Sequence, residues 1–246
     1  MRGPFWIDQR DTTYIFPPVD LALDEPDGLL AAGGDLTPRR IINAYRQGVF
    51  PWYSSDQPIL WWSPNPRSVL VPSQLKISRS LRKQVRKQPF RITINHCFKE
   101  VLQQCAAPRD YTDGTWITPE MQIAYGELHD QGVAHSFEAW QGETLVGGLY
   151  GLALGKLFFG ESMFSRVTDA SKVAFVYAVK QLEAWGFVLI DCQMASEHLK
   201  SFGAIQIPRN RFIECTLQLT SLSPHPLPWQ FDEGFDPLMN SGHNDG

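Results

Sequence analysis

Glycine is missing where a nucleotide site would need it. The stretch FFGESMFSRVTDASKVAF (158–175) has the pattern of a strand, a short loop and a helix, yet no glycine lies between Glu161 and Lys172. A helix start above a strand end presents free backbone N–H groups and suits an anion. Loops that hold a pyrophosphate there use glycines, because backbone must approach phosphate closely. This loop offers instead the hydroxyls of Ser165, Thr168 and Ser171, the guanidinium of Arg166 and the carboxylate of Glu161. That chemistry disfavours a bound nucleotide cofactor and suits looser phosphodiester contact.

Other absences narrow the class. No run of eighteen apolar residues occurs, so no membrane span is expected. The opening MRGPFWIDQRDTTY lacks the apolar stretch of a signal peptide. The four cysteines show no C-x-x-C spacing, so free thiols, no metal site and a cytoplasmic location are expected. No helix-turn-helix or zinc-finger pattern appears, which argues against duplex DNA. The net charge of −4 argues against bulk non-specific nucleic-acid binding. The segment 76–91, however, holds seven of the 22 Lys and Arg residues and no acid. Such a run is either a solvated helix face or a phosphate footprint confined to one patch.

What is present is enough apolar and aromatic sequence for a sizeable core. Residues 1–66 are rich in Pro, Gly and Trp and read as a small loop-rich domain. Its one well-signalled helix has Thr37 as N-cap, Pro38 in the first turn and Gly48 after the end. Residues 67–246 alternate. A strand at 90–96 precedes a helix at 97–107, and Thr118-Pro119 opens a second helix closed by Gly132. Three strands joined by short glycine-containing links (134–140, 144–152, 156–164) read as antiparallel hairpins. Helix 170–185 is apolar nearly all round and should pack between layers. Strand 187–193, a short helix capped by Ser196, and a last strand pair, AIQIP with FIECTLQL, complete a mixed sheet. A Pro-rich tail follows Ser221. This α/β (α+β) order resembles the acetyl-CoA-dependent N-acetyltransferase fold, a likeness of plan and not of activity.

Three constellations carry chemistry. In LIDCQ (189–193), strand alternation puts Asp191 and Gln193 on one face and Cys192 on the other. A carboxylate in so apolar a strand is either a structural cap or half of an acid/base pair with an amide. Trp52, Trp61, Trp62 and Trp116 sit in Pro/Gly-rich loops, suited to packing or to stacking on a single-stranded nucleic-acid end. Phe175, Ala178 and Leu182 share a helix face and, with Leu149, Phe158, Met163 and Ile190, either fill a core or line a cavity.

Taken together, GLLAAGGDLTPRRIINAYRQGVFPWYS, ILWWSPNPR, GTWIT, LVGGLYG, FFGESMFSR, ASKVA, LIDCQ and GAIQIPR resemble the leucyl/phenylalanyl-tRNA–protein transferase family, from Gly28 to Arg209. The resemblance implies a small N-terminal domain and an acetyltransferase-like catalytic domain. It implies transfer of Leu, Phe or Met from aminoacyl-tRNA to an N-terminal Arg or Lys, forming an N-degron, with no cofactor and no metal. Carried over residue by residue, it makes Asp191 and Gln193 catalytic. It makes Leu149, Phe158, Gly160, Met163, Phe175, Ala178, Leu182 and Ile190 an aminoacyl side-chain pocket. Ala178 and Leu182 stand where the family carries larger aromatics, which leaves the ranking of Leu and Phe open. Glu161 and Ser165 would orient substrate, and Trp52 and Trp116 would meet the terminal adenosine. Lys76, Arg79, Arg82, Lys83, Arg86, Lys87 and Arg166 would contact tRNA phosphates. A monomer is expected. The competing readings are a CoA-dependent N-acetyltransferase and a non-catalytic RNA-binding module.

Overall fold

A computed structural model describes residues 3–107 and 117–239. The first strands, β1 (Phe5–Ile7), β2 (Leu29–Gly33), β3 (Phe50–Pro51) and β4 (Leu60–Trp62), form a four-stranded sheet in the order β1-β2-β4-β3. Helix α1 (Pro38–Arg46) lies between β2 and β3, and the Thr37 hydroxyl accepts the Arg40 N–H at its start. Gly48 follows it at φ 71°, the left-handed region that a helix exit favours.

The second sheet has seven strands. They are β5 (Arg67–Leu70), β6 (Arg91–Ile94), β7 (Ala134–Gln141), β8 (Thr144–Leu154), β9 (Leu157–Ser165), β10 (Leu189–Gln193) and β11 (Ile205–Ile207), in the order β11-β5-β10-β9-β8-β7-β6. Helix α2 (Arg79–Lys87) precedes β6, and α3 (Phe98–Ala106) and α4 (Pro119–Asp130) follow it; α5 (Ala170–Ala184) links β9 to β10. The short α6 (Glu197–Ser201) lies between β10 and β11, and α7 (Arg209–Thr220) follows the last strand. β7, β8 and β9 form the expected antiparallel meander, whereas β9 and β10 run parallel around α5. The result is a mixed α/β fold.

Two features depart from the sequence expectation. FIECTLQL is not a strand; it lies in α7. Its apolar residues alternate and mimic period 2. The buried set, Phe212 and Thr216 with Ile213 and Leu219 against the core, follows helical spacing, and Leu217 is left exposed. The partner of β11 is β5, four residues between Pro66 and Pro72 that are too short to stand out in the sequence.

One apolar cluster occupies each face of the large sheet. On the first, Phe98, Tyr125, Tyr150 and Phe159 pack with Tyr45 of α1 and with Leu30 and Trp61 of the small sheet. The two sheets therefore share a core. On the second, Phe137, Leu149, Phe158 and Ile190 pack against α5 and α2. Helix α5 buries Val173, Phe175, Val176, Val179 and Leu182, each worth about 1.5–3 kcal/mol relative to exposure. Its outer side is held by the tail. Asp232 accepts from the Gln181 amide at 2.7 Å and the Trp185 indole at 3.0 Å.

Candidate active site

β9 and β10 are paired only as far as Phe159 and Asp191. Beyond that point β9 stays with β8 to Ser165, and β10 stays with β5. The strands part, and a cavity of about 830 Å3 opens between them.

Two β-bulges shape this opening. On β9, Gly160 and Ser162 face Gly151 and Tyr150 of β8, so Glu161 is the extra residue. A bulge re-aims the side chains that follow it. Simple alternation would set Phe158 and Met163 on opposite faces; with the bulge both join the α5-side cluster. On β10, Asp191 and Gln193 face Val69 and Ser68, so Cys192 is extra and Gln193 takes φ 58°. Such a conformation is uncommon without glycine and is held here by the Gln193 N–H donating to Asp191 Oδ1 at 2.9 Å.

Leu149, Phe158, Gly160, Met163, Phe175, Ala178, Leu182 and Ile190 all line the cavity, and their side forms an apolar wall. The bare Gly160 keeps that wall open. A Cβ there would meet only the Asp191 carbonyl oxygen, at 3.4 Å. Glu161, Gln193, Ser165 and Arg166 line the same cavity. Ser165 Oγ donates to the Val167 carbonyl at 2.9 Å and accepts the Ser171 N–H at 3.2 Å, which pins the loop before α5. The Arg166 guanidinium donates to Gln104 Oε1.

The carboxylates differ sharply. Asp191 is wholly buried and bound in a fork by Arg67, Nε to Oδ1 at 2.8 Å and Nη2 to Oδ2 at 2.7 Å. Arg67 is itself buried between the rings of Phe50 and Phe212 and donates to the Gly48 carbonyl at 3.2 Å. With the Gln193 N–H added, the Asp191 carboxylate accepts three hydrogen bonds, two on Oδ1 and one on Oδ2. Asp191 still lines the cavity, beside Gln193, with both carboxylate oxygens already accepting hydrogen bonds.

Glu161 sits among hydroxyls. Tyr45 donates to Oε1 at 2.7 Å, Tyr125 approaches Oε2 at 2.9 Å, and the Gln193 amide donates to Oε1 at 2.9 Å. Burial pushes its pKa up to about 7; hydrogen bonds donated by Tyr45 and Tyr125 to the carboxylate oppose the rise, Asp191 adds to it and Arg67 opposes it. Cys192 also lines the cavity, but burial first and Asp191 second raise its thiol far above the ordinary range.

The remaining expected residues lie elsewhere. Trp52 is outside the cavity lining, exposed just after β3 and edge-on to Trp62 at 5.6 Å. Trp116 lies outside the described residues. Lys76, Arg79, Lys83, Arg86 and Lys87 are exposed and Arg82 is half-buried on and beside α2, which packs against α5. None of these six makes an ion pair among the described residues. Sequence reasoning assigned no role to Arg67, Tyr45, Tyr125 or Tyr150. Arg67 closes the ILWWSPNPR motif, but its partner lies 124 residues away.

Among the described residues no group of three or more His, Cys, Asp or Glu side chains could hold a metal ion, and no helix is long and apolar enough to cross a membrane.

A parted parallel pair thus frames an open cavity with an apolar wall on one side and an acid and an amide on the other. Residues 69–217 match the family model described as leucyl/phenylalanyl-tRNA protein transferase, and residues 34–65 match the model for its N-terminal domain. A leucyl/phenylalanyl-tRNA–protein transferase of Stutzerimonas stutzeri is 62% identical over 209 residues, 85% of this chain and 92% of the relative. One from Azotobacter vinelandii is 58% identical over 221 residues, 90% of this chain and 97% of the relative. The structure titled L-PGS from Bacillus licheniformis has 10% identity and a TM-score of 0.41 over 78% of this chain and 72% of that one, a likeness too slight to carry function. The chain belongs to the leucyl/phenylalanyl-tRNA–protein transferase family and is a transferase enzyme.

Proposed function

We propose that the protein moves Leu, Phe or Met from the 3′ end of its aminoacyl-tRNA to the α-amino group of an acceptor protein beginning with Arg or Lys. The product is a bulky apolar N-terminus, a degradation signal, made in the cytoplasm by a monomer of two domains, residues 1–66 and 67–246. The observation that carries this reading is one open cavity with an apolar wall for the donor side chain and Glu161 with Gln193 beside it. Side chains unbranched at Cβ suit such a wall, since β-branched Ile and Val are stiff where it begins.

The chemistry follows from the groups present. An aminoacyl ester is already activated, so an amine reacts with it directly. The acceptor amine has an ordinary pKa of about 7.7–8.0 and must lose a proton to attack. Glu161, raised to about 7, is a better-matched base than an ordinary carboxylate. Gln193 positions the reacting groups from its bulge. Asp191 acts through them, fixing the Gln193 backbone while Arg67 neutralises it. One proton of the ammonium is lost to solvent before attack; the neutral nitrogen then bonds to the ester carbon, the bond to the ribose 3′ oxygen breaks, and the proton that this nitrogen sheds to Glu161 passes to that oxygen. Cys192 stays a thiol, and Ser165 Oγ is bonded to the Val167 carbonyl and the Ser171 N–H with no base beside it among the described residues, which supports transfer without an acyl-enzyme stage. Holding donor and amine together supplies much of the rate.

Around this centre, Trp52 and Trp116 would stack on the terminal adenosine. Arg166 and the basic residues at and beside α2 would contact acceptor-stem phosphates, which position without reading sequence. The deciding assay is transfer of labelled Leu from its tRNA to a peptide beginning with Arg. The wild type transfers; Glu161→Gln and Gln193→Ala lose most of the rate while still binding the donor. Tight binding of acetyl-CoA with no transfer, or an amino acid trapped covalently on the chain, would overturn the reading.

A further inference from the structure

Around Glu161 three oxygen contacts close a loop. Tyr45 Oη lies 2.7 Å from Glu161 Oε1, Tyr125 Oη lies 2.9 Å from Glu161 Oε2, and the two tyrosine oxygens lie 2.7 Å from each other. Each contact is a hydrogen bond only if one proton lies on it. A tyrosine hydroxyl brings a single proton, so the pair supplies two for three contacts. If Glu161 is ionised and both tyrosines donate to it, nothing lies between the tyrosine oxygens at 2.7 Å. Two buried oxygens at that distance without a proton repel. A proton on Glu161 completes the count. Oε2–H then donates to Tyr125, Tyr125 donates to Tyr45, and Tyr45 donates to Oε1.

We propose that Glu161, Tyr45 and Tyr125 form a three-proton ring, closed when Glu161 is protonated, which holds the proton shed by the acceptor amine until it passes to the ribose oxygen. This rests on the role given to Glu161 above and deepens it. The tyrosines then do more than solvate a carboxylate: they stabilise its protonated state and raise its affinity for the proton at the moment of attack. Tyr45 and Tyr125 are positioning residues, reaching the substrate only through Glu161.

The surroundings agree. Tyr45 comes from α1, Tyr125 from α4 and Glu161 from β9, so three elements converge on one proton. Facing the ring are Gln193 and Asp191 of β10, Arg67 of β5 and Tyr150 of β8. Arg67, the one cation among them, is already committed to Asp191. The Tyr150 hydroxyl is buried beside the ring without a hydrogen-bond partner among the described residues, so it adds no donor to the carboxylate. All three tyrosine hydroxyls are pushed well above the ordinary tyrosine range, chiefly by burial and then by Glu161, so none is a competing source of negative charge.

The sign of one perturbation separates this ring from the ordinary picture. If the tyrosines merely donate to a carboxylate, removing a hydroxyl raises the Glu161 pKa. If they complete a ring around a carboxylic acid, removal lowers it. The experiment is an infrared-monitored pH titration of the free enzyme, in which the carboxylic C=O band of Glu161 is assigned by its loss in Glu161→Gln. The wild-type band persists to near neutral pH. Tyr125→Phe and Tyr45→Phe each move its midpoint downward, by on the order of half to one pH unit for one hydrogen bond. An upward or absent shift in both variants, or no such band in the wild type above pH 6, would refute the ring. Should either variant fold poorly, the wild-type band still decides. Loss of transfer in Glu161→Gln alongside an upward shift would remove the ring and leave the base in place. Normal transfer in Glu161→Gln would remove both.

Discussion

The ion pair between Arg67 and Asp191 offers a test that separates stability from activity. Both side chains are almost wholly buried, 1% and 0% exposed, and joined by two short hydrogen bonds. Arg67→Met leaves Asp191 as an uncompensated buried charge. Breaking a buried pair from one side costs about 3–5 kcal/mol, whereas replacing both partners by apolar residues of similar volume is often neutral. For a chain of this size the urea slope lies near the upper end of its usual range, about 2.5–3 kcal/mol per molar, so the single variant should unfold at a midpoint roughly 1–2 M lower. The double variant, Arg67→Met with Asp191→Leu, should return to within about 1–2 kcal/mol of the parent, because Phe50 and Phe212 already give the methionine an apolar bed. It should not recover transfer. With Asp191 gone, the Gln193 N–H loses its acceptor and the left-handed turn at φ 58° loses its restraint. The assays are urea unfolding followed by tryptophan fluorescence and transfer of labelled Leu to a peptide. A single variant within 1 kcal/mol of the parent would refute the claim of a buried charge pair. A double variant that transfers normally would refute the positioning role of Asp191.

Gly160→Leu should leave the melting temperature nearly unchanged, since a side chain there enters open cavity, but should raise KM for the donor steeply; a KM equal to the parent's would place the donor elsewhere. Neutralising Arg82, Lys83, Arg86 and Lys87 together should raise KM for charged tRNA and flatten its salt dependence by roughly one log unit per lost phosphate contact, while leaving a minimal aminoacyl-adenosine donor unaffected. Equal loss with both donors would remove the docking role. Glu161 also predicts a pH effect on folding. Between its ordinary 4.5 and about 7, the native chain holds a proton that the unfolded chain has released, so stability falls as pH rises through that window. Urea midpoints measured across it should decline in the wild type and less so in Glu161→Gln; parallel curves would show that Glu161 titrates normally.

Much was legible in the sequence because it depends on neighbours in the chain. Thr37-Pro38 and Thr118-Pro119 open α1 and α4 through caps that need only the next few residues. The β7–β9 meander follows from glycine-containing links, and α5 from a long apolar run. Local pattern grouped seven of the eight wall residues but could not decide between a cavity and a filled core; the motif resemblance added Gly160 and the reading as a pocket.

What the sequence determined by itself was thus its helices (α7, which lacks a side-chain cap, excepted), its hairpins and its family, since capping, turn chemistry and extended motifs act over a few residues. Tertiary structure decided which carboxylate meets a guanidinium and which meets tyrosine hydroxyls. Arg67 meets Asp191 across 124 residues and Tyr45 meets Glu161 across 116, and a tyrosine in an amphipathic helix looks like any core residue until its hydroxyl finds a partner. Two single-residue bulges and the parting of β9 from β10 set the rest. Register is a relation between strands, and no strand carries it alone.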